Sequence, residues 1–411
     1  MSSKYDIAVV GGGLVGSSLA IALATTLAKS PYKIALIDSQ PLVDIELRAN
    51  SLDGRSIALA LSSKKMLSAL GLWTSLQEYA TAIKKIHISD QGRFGATRLD
   101  SARYEVESFG YLIPADHLIH RLNKQVDSLG NVTRIQPYKV SAIESNSDHV
   151  ILKQDDGEAV QASLLIAADG ANSFIRKALN IDVEEKQYQQ SAIVGSVECE
   201  QSHNNTAYER FTEDGPLALL PRESNRCGFI WMNPTDTAEE NLTLSDSAFM
   251  HKLQKAFGFR LGHFQSVSKR FAYPLALLMS EQRVQQRVVL IGNAAQTLHP
   301  IAGQGLNLAL RDIAELIELL NENDLNNADE NLDEMLRCYA DKRQPDIEKT
   351  IRFTDRLNFL FNADYPVLKQ SRGLGLAMLG AIPMLEERIV KQNLGEAGSN
   401  ASLLRGDVVN S

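Results

Sequence analysis

Short apolar runs alternate with helical stretches through the first part of the chain, and their order predicts a parallel sheet. Residues 5–10 form an apolar run that ends in Gly11-Gly12-Gly13, and residues 14–28 read as a helix. Residues 33–37 are a second apolar run, closed by Asp38. Strand, glycine turn, helix, strand is a βαβ unit. Residues 118–126 carry helical spacing. Residues 150–153 and 160–161 flank Asp155-Asp156-Gly157, which predicts a hairpin. Residues 164–168 are again a buried strand, with a short helix over 172–179 behind it.

The pattern changes between about residues 187 and 273. Alternating runs at 192–197, 207–211 and 226–231 predict an antiparallel sheet, with one helix over 247–257. A parallel-type strand returns at 287–291, followed by a glycine-containing loop and a helix from about 306 to 320. The rest is mostly helical, residues 321–331 read as a polar linker, and residues 398–411 are expected to fray. The fold class is therefore α/β: a Rossmann-like parallel-sheet domain, an antiparallel-sheet second domain and a helical C-terminal region.

Bulk composition narrows the function classes. At 411 residues the chain exceeds the usual span of one hydrophobic core, so two domains are expected. Lysine and arginine total 42 against 50 acidic residues, a net charge of −8, and no basic face is readable beyond short clusters such as Lys84-Lys85. Nucleic acid is excluded as a partner. Cys199, Cys227 and Cys338 are far apart in sequence without a CxxC pair, which argues against a disulfide framework or zinc site. The histidines show no HExxH or HxxxH spacing, so no metal site is readable. Four residues precede the first apolar strand, too few for a signal peptide. The apolar stretch 374–385 is shorter than the about 20 residues a bilayer requires. A cytoplasmic protein is expected, or one lying on the inner membrane from the cytoplasmic side.

The glycine turn carries the first chemistry. Gly11, Gly13 and Gly16 fit GxGxxG: a tight turn, close approach of backbone to a pyrophosphate, and close packing of helix on strand. The positive helix N-terminus then faces phosphates. Asp38 ends the next strand, where a carboxylate accepts hydrogen bonds from ribose hydroxyls. A structural turn with a surface aspartate is the plainer alternative, and the motif alone does not separate FAD from NAD. Two later segments do. Ala168-Asp169-Gly170 ends a strand, and Gly292-Asn293-Ala294-Ala295 is followed by His299-Pro300 and by Gly303-Gln304-Gly305-Leu306-Asn307 opening a helix. A second glycine-flanked helix N-terminus suits an anionic reduced flavin ring.

Together the GxGxxG turn, Asp169-Gly170 and the Gly292–Pro300–Gly303-Gln304-Gly305 segment resemble the three fingerprints of class A flavoprotein monooxygenases, the p-hydroxybenzoate hydroxylase type. The resemblance covers roughly residues 4–350. Leu52-Asp53-Gly54-Arg55, His87-Ile88-Ser89-Asp90, Arg210-Phe211-Thr212 and the run from Gly292 to Asp312 are similar to the ubiquinone-biosynthesis hydroxylases, most of all the 2-octaprenyl-6-methoxyphenol group. Two departures stand out: Asn293 and Gln296 occupy places where the family usually has Asp and His, and Ala115 stands about where a flavin-contacting arginine is often found.

The resemblance implies a discontinuous FAD-binding domain (residues 1–73, 100–186 and 277–345), a substrate domain (74–99 and 187–276) and a helical C-terminal region (346–411). It implies flavin positioning by Arg55, the Pro300 carbonyl and Gly305. It adds cofactor contacts at Gly11, Gly13, Gly16, Asp38, Val140, Asp169, Gly170, Asn293 and the backbone from Gly303 through Gln304, Gly305 and Leu306 to Asn307. Arg55 could instead form a surface pair with Asp53, and Asp169 could cap a helix near Ala171. His299 reads as a loop histidine held against backbone. The implied reaction reduces FAD with NAD(P)H and adds O2 to form a flavin C4a-hydroperoxide. A prenylated phenol then attacks its distal oxygen. A hydroxylase of another aromatic substrate, a flavin oxidase, or a non-catalytic flavin-fold scaffold in a biosynthetic complex remain the alternatives. An amphiphilic substrate implies a site open toward a membrane or a partner, and Phe353, Leu357, Phe359 to Phe361 and Leu374 to Ile382 offer an apolar stripe that could equally be core.

Overall fold

The structure is a computed structural model that describes residues 3–27, 32–42, 52, 55–93, 95–155, 157–298, 303–323, 332–362, 390, 394–395 and 401–407, with the backbone alone at 353 and 356–362. The expected βαβ unit is present. The strand Ser3–Val10 pairs in parallel with Ile34–Ile37 on one side and Ala159–Ala167 on the other. Ile34–Ile37 continues in parallel to Val132–Ile135, and Ala159–Ala167 to Val288–Leu290.

Both faces of the sheet's centre are covered, which is why residues 7–10, 34–37 and 164–167 read as unbroken apolar runs. Ile7 and Val9 pack into a layer with Leu19, Leu118, Leu310 and Ile313 of three helices, Leu14–Thr26, Ala115–Asp127 and Gln304–Glu322. Ala8 and Val10 face the other layer, with Tyr138, Val150 and Ile175. The two strands expected at 160–161 and 164–168 are one continuous strand. Ala159–Ala167 makes the hairpin with Val150–Lys153 through its first half and joins the parallel core through its whole length. Polar Gln161 and Ser163 interrupt the apolar run without interrupting the backbone ladder.

A nine-stranded sheet contains the residues of the second pattern. Its central strand, Val183–Cys199, runs antiparallel to Arg226–Pro234 and to Phe271–Ser280. The sheet is mixed rather than purely antiparallel, because Thr206–Phe211 pairs in parallel with Lys85–Asp90, which arrives from a distant part of the chain. The helix expected at 247–257 is Asp246–Phe257, with the Ser245 hydroxyl accepting the Ala248 N–H at 3.2 Å. A further helix, Thr235–Thr243, was not expected; Ala238 and Asn241 are its buried residues, too thin a stripe to read from sequence. A three-stranded sheet of Ser56–Ala60, Gly110–Pro114 and Thr81–Ile83 completes the architecture.

The C-terminus corrects one expectation. Ser402–Arg405 is helical rather than frayed, since Leu403 and Leu404 are buried in the main core and the Ser402 hydroxyl donates to Glu318 at 3.1 Å. The apolar stretch 374–385 lies outside the described residues. Among the described residues no helix is long and apolar enough to cross a membrane.

Candidate active site

Two of the three fingerprint glycines are demanded by the fold itself. Gly11 has φ +109°, and a Cβ there would lie 2.3 Å from the Ala168 carbonyl oxygen. A Cβ at Gly16 would lie 1.8 Å from the Gly11 oxygen, so the helix could not approach the strand with any side chain present. Gly13 differs: its backbone is extended (φ −74°, ψ −166°) and a Cβ there would meet nothing within 4 Å. Nothing among the described residues requires glycine at that position. The Leu14–Thr26 helix begins beside this open space with no side-chain cap and no acidic residue in its first turn, which leaves its leading N–H groups for an anion. Asp38 pins the loop, its carboxylate accepting the Gly12 N–H at 2.6 Å and the Gln40 N–H at 2.8 Å.

The second fingerprint lies against the same opening. Gly170 is left-handed and a Cβ on it would meet nothing within 4 Å. Asp169 Oδ2 accepts the Ile175 N–H at 3.1 Å, while Oδ1 is buried without a hydrogen-bond partner among the described residues. The cap of the Phe174–Ala178 helix is Ser173, whose hydroxyl accepts the Arg176 N–H at 3.0 Å, so Asp169 is only an auxiliary cap. Arg176, not among the expected site residues, ties two fingerprints together. Its guanidinium donates to the Ala171 carbonyl at 2.7 Å and to the Ala294 carbonyl at 2.8 Å.

In the third fingerprint, Gly292 packs on Val15 and Asn293 is exposed. Gln296 is buried at 3 %: its amide donates to Asp312 at 2.9 Å and its carbonyl accepts from Arg283. It therefore braces the turn from behind. Gly303, left-handed at φ +61°, opens the Gln304–Glu322 helix, again without a side-chain cap or an early acidic residue. Gly305 faces open space, Gln304 is buried, and Leu306 packs against the main core. The Asn307 side chain is fully committed: it accepts from the Ala60 N–H (2.8 Å) and the Ser63 hydroxyl (2.7 Å) and donates to the Ala58 and Gly303 carbonyls (3.0 and 2.8 Å). Only its backbone is left for a cofactor. His299 and Pro300 lie outside the described residues. Val140 is buried beside Ile37 and Ala167 in the second core layer. Arg55 is exposed and lines a cavity of about 250 Å³ with Leu112, Phe229 and Tyr273; its suggested partner Asp53 lies outside the described residues.

A second cavity, of about 110 Å³, lies where the start of the Gln304 helix meets the small sheet and one face of the nine-stranded sheet. Its walls are apolar, with Ala58, Ile86, Phe109, Ile230 and Met232, and it adjoins the Arg55 cavity through Leu220 and Ile230. Glu209 is the one charged side chain lining it among the described residues. Burial pushes the Glu209 carboxyl up to about 7, while part of its surface stays open to the cavity.

These features fit a flavin dinucleotide. Two uncapped helix N-termini suit the pyrophosphate and an electron-rich ring. Glycines facing open space leave room for close approach, and the orphaned Asp169 oxygen suits a hydroxyl donor. The FAD-binding-domain family matches residues 4–354. The chain belongs to this family. A ubiquinone hydroxylase of Rhodospirillum rubrum is 33 % identical over 392 residues, covering 95 % of this chain and 89 % of that protein. The 3-demethoxyubiquinol 3-hydroxylase of Escherichia coli is 30 % identical over 397 residues, covering 95 % and 98 %. The crystal structure of p-nitrophenol 4-monooxygenase from Pseudomonas putida superimposes with a TM-score of 0.77 at 18 % identity, covering 97 % of this chain and all of that one. The resemblance to class A flavin hydroxylases thus holds in sequence and fold. This flavoprotein takes FAD as cofactor and NAD(P)H as co-substrate, as is typical of the family.

Proposed function

We propose that this flavoprotein hydroxylates a polyprenylated phenol of ubiquinone biosynthesis, of the 2-octaprenyl-6-methoxyphenol kind. The observation that carries the reading is the apolar cavity that begins at the Gln304 helix N-terminus and ends on the nine-stranded sheet. A phenol ring placed there would be held among apolar walls at the helix start that would face the flavin ring. The two hydroxylase relatives, both named for ubiquinone or ubiquinol chemistry, support the substrate class. Bound FAD, reduced by NAD(P)H, supplies the activation of O2 for transfer of one oxygen atom to the ring.

The chain's own groups then divide the work. Gly13, Gly170, the Leu14 helix N-terminus and Asp38 hold the pyrophosphate and ribose, with Gly11 and Gly16 shaping the turn. Asp169 Oδ1 would accept from a cofactor hydroxyl and Asn293 from the ribityl chain, Val140 would add a cofactor contact from its core layer, and the Gly303–Asn307 backbone, with the Pro300 carbonyl, would bracket the ring. The parallel-sheet part would be the FAD-binding domain and the nine-stranded sheet the substrate domain; the boundary expected between residues 345 and 346 falls inside the continuous helix Leu332–Asn362. A bilayer-dwelling substrate implies peripheral contact with the inner membrane or with a biosynthetic protein complex.

Purified protein should be yellow with non-covalent FAD, and prenylated or short-tailed phenols should accelerate NAD(P)H oxidation and yield a hydroxylated product. Oxygen uptake that needs no NAD(P)H, with an amine or alcohol as reductant, would overturn the reading in favour of an oxidase. Arg55→Ala should keep the flavin but slow its reduction in stopped-flow traces, because a mobile ring loses a positively charged neighbour. Rates equal to wild type would return Arg55 to the surface.

A further inference from the structure

We propose that Glu209 is the base that takes the proton of the substrate's phenolic hydroxyl. The inference rests on the hydroxylase reading above and names the residue that readies the ring for attack.

The strand Thr206–Phe211 alternates strictly. Ala207 and Glu209 face the apolar cavity, while Arg210 turns to the other side, donating to the Ala256 carbonyl at 2.9 Å and the Ser89 hydroxyl at 3.3 Å. Across the ladder Glu209 is flanked by Ile88 on the parallel side and Ala218 on the antiparallel side, neither of which offers a side-chain donor. Beyond them, Ile86 and Ile230 continue the apolar wall, and Gly303, Gln304 and Asn307 form the opposite side. Among the described residues no hydrogen bond or ion pair reaches the Glu209 carboxylate, and no other titratable or charged side chain lines the cavity. A carboxylate in such a wall is costly unless something donates to it. A phenol supplies the missing donor and an apolar ring that fills the remaining space.

In the step proposed, the phenol O–H bond breaks and an O–H bond forms on a Glu209 carboxylate oxygen. The bonding pair stays on the phenol oxygen and delocalises onto the ring carbons ortho and para to it, one of which receives the transferred oxygen. The site holds one negative charge before and after, so no charge is created in a low-dielectric cavity. Burial that holds the carboxyl near neutrality leaves it partly ionised at physiological pH and basic enough to pull a phenol proton.

The experiment compares wild type with Glu209→Gln and Glu209→Leu, each checked for full flavin content and unchanged melting. Wild-type single-turnover hydroxylation should rise with pH through about 7 as Glu209 loses its proton. In Glu209→Gln that rise should vanish, and the rate at neutral pH should fall roughly a hundredfold or more. Binding, read from flavin fluorescence, gives an answer independent of turnover. Glu209→Leu should weaken a phenol about tenfold, the scale of a lost charge-assisted hydrogen bond, and leave its methyl ether unaffected. Retention by both variants of the wild-type pH profile and of the phenol-over-ether preference would overturn the assignment. Failure of the wild type to hydroxylate any phenol would instead overturn the functional reading.

Discussion

Asp312→Ala should cost about 3 to 5 kcal/mol of folding stability, the scale of leaving a buried charge without its partner. Asp312 is fully buried in the helix that begins at the candidate site. Its carboxylate receives Arg343 at 2.8 Å and the Gln296 amide at 2.9 Å, with Arg283 at 3.9 Å. Arg343 also reaches Asp346 at 2.8 Å, and Asp346 holds Arg311 at 2.9 Å. Three buried guanidinium groups thus share two carboxylates, and removing one leaves Arg343 with half its compensation. Urea or thermal unfolding of the flavin-free protein would show the loss. The double variant Asp312→Ala/Arg343→Met should recover part of it, because the uncompensated charge disappears with its partner. A single variant within about 1 kcal/mol of wild type would mean that water or relaxation screens the cluster.

That cluster also explains what the sequence could and could not reveal. The fingerprint glycines were legible because their reasons are local: a turn, a helix start and a strand end lie within a few residues of one another. Gln296 was legible only as a departure from the family's histidine. Its meaning, a brace between Arg283 and Asp312, depends on packing of segments that the pattern does not connect. Asn307 was expected to meet the cofactor through its backbone; what the pattern did not show is that its side chain is spent on Ala58, Ala60, Ser63 and Gly303. Glu209 sits within the run Tyr208-Glu209-Arg210-Phe211, where a glutamate beside an arginine reads as a solvent-facing position. That face is covered by the small sheet and the start of the Gln304 helix, which come from distant parts of the chain, and nothing within the run announces it. Cys199 and Cys227 make the same point. Distant in sequence, they are free, buried neighbours in the core of the nine-stranded sheet, close enough for one thiol to hydrogen-bond the other and, with burial, raise Cys227.

Gly13→Val should fold and yet lose FAD, whereas Gly16→Val should fail to fold correctly with or without it. At Gly16 a Cβ would stand 1.8 Å from the Gly11 oxygen, a backbone atom that cannot move without opening the turn. At Gly13 the backbone is already extended and a Cβ would meet no atom of the described residues within 4 Å. The flavin-free variant should therefore match or slightly exceed flavin-free wild type in stability, by up to about 1 kcal/mol, because glycine's extra freedom in the unfolded chain is removed. The comparison must be made without flavin, since ligand binding itself raises apparent stability. The isopropyl group would occupy the space through which a pyrophosphate reaches the Leu14 helix N-terminus. An affinity loss of at least about a hundredfold, near 3 kcal/mol, is expected on titration with FAD. Full flavin occupancy in a folded Gly13→Val protein would show that the open space in front of Gly13 is not the pyrophosphate's path.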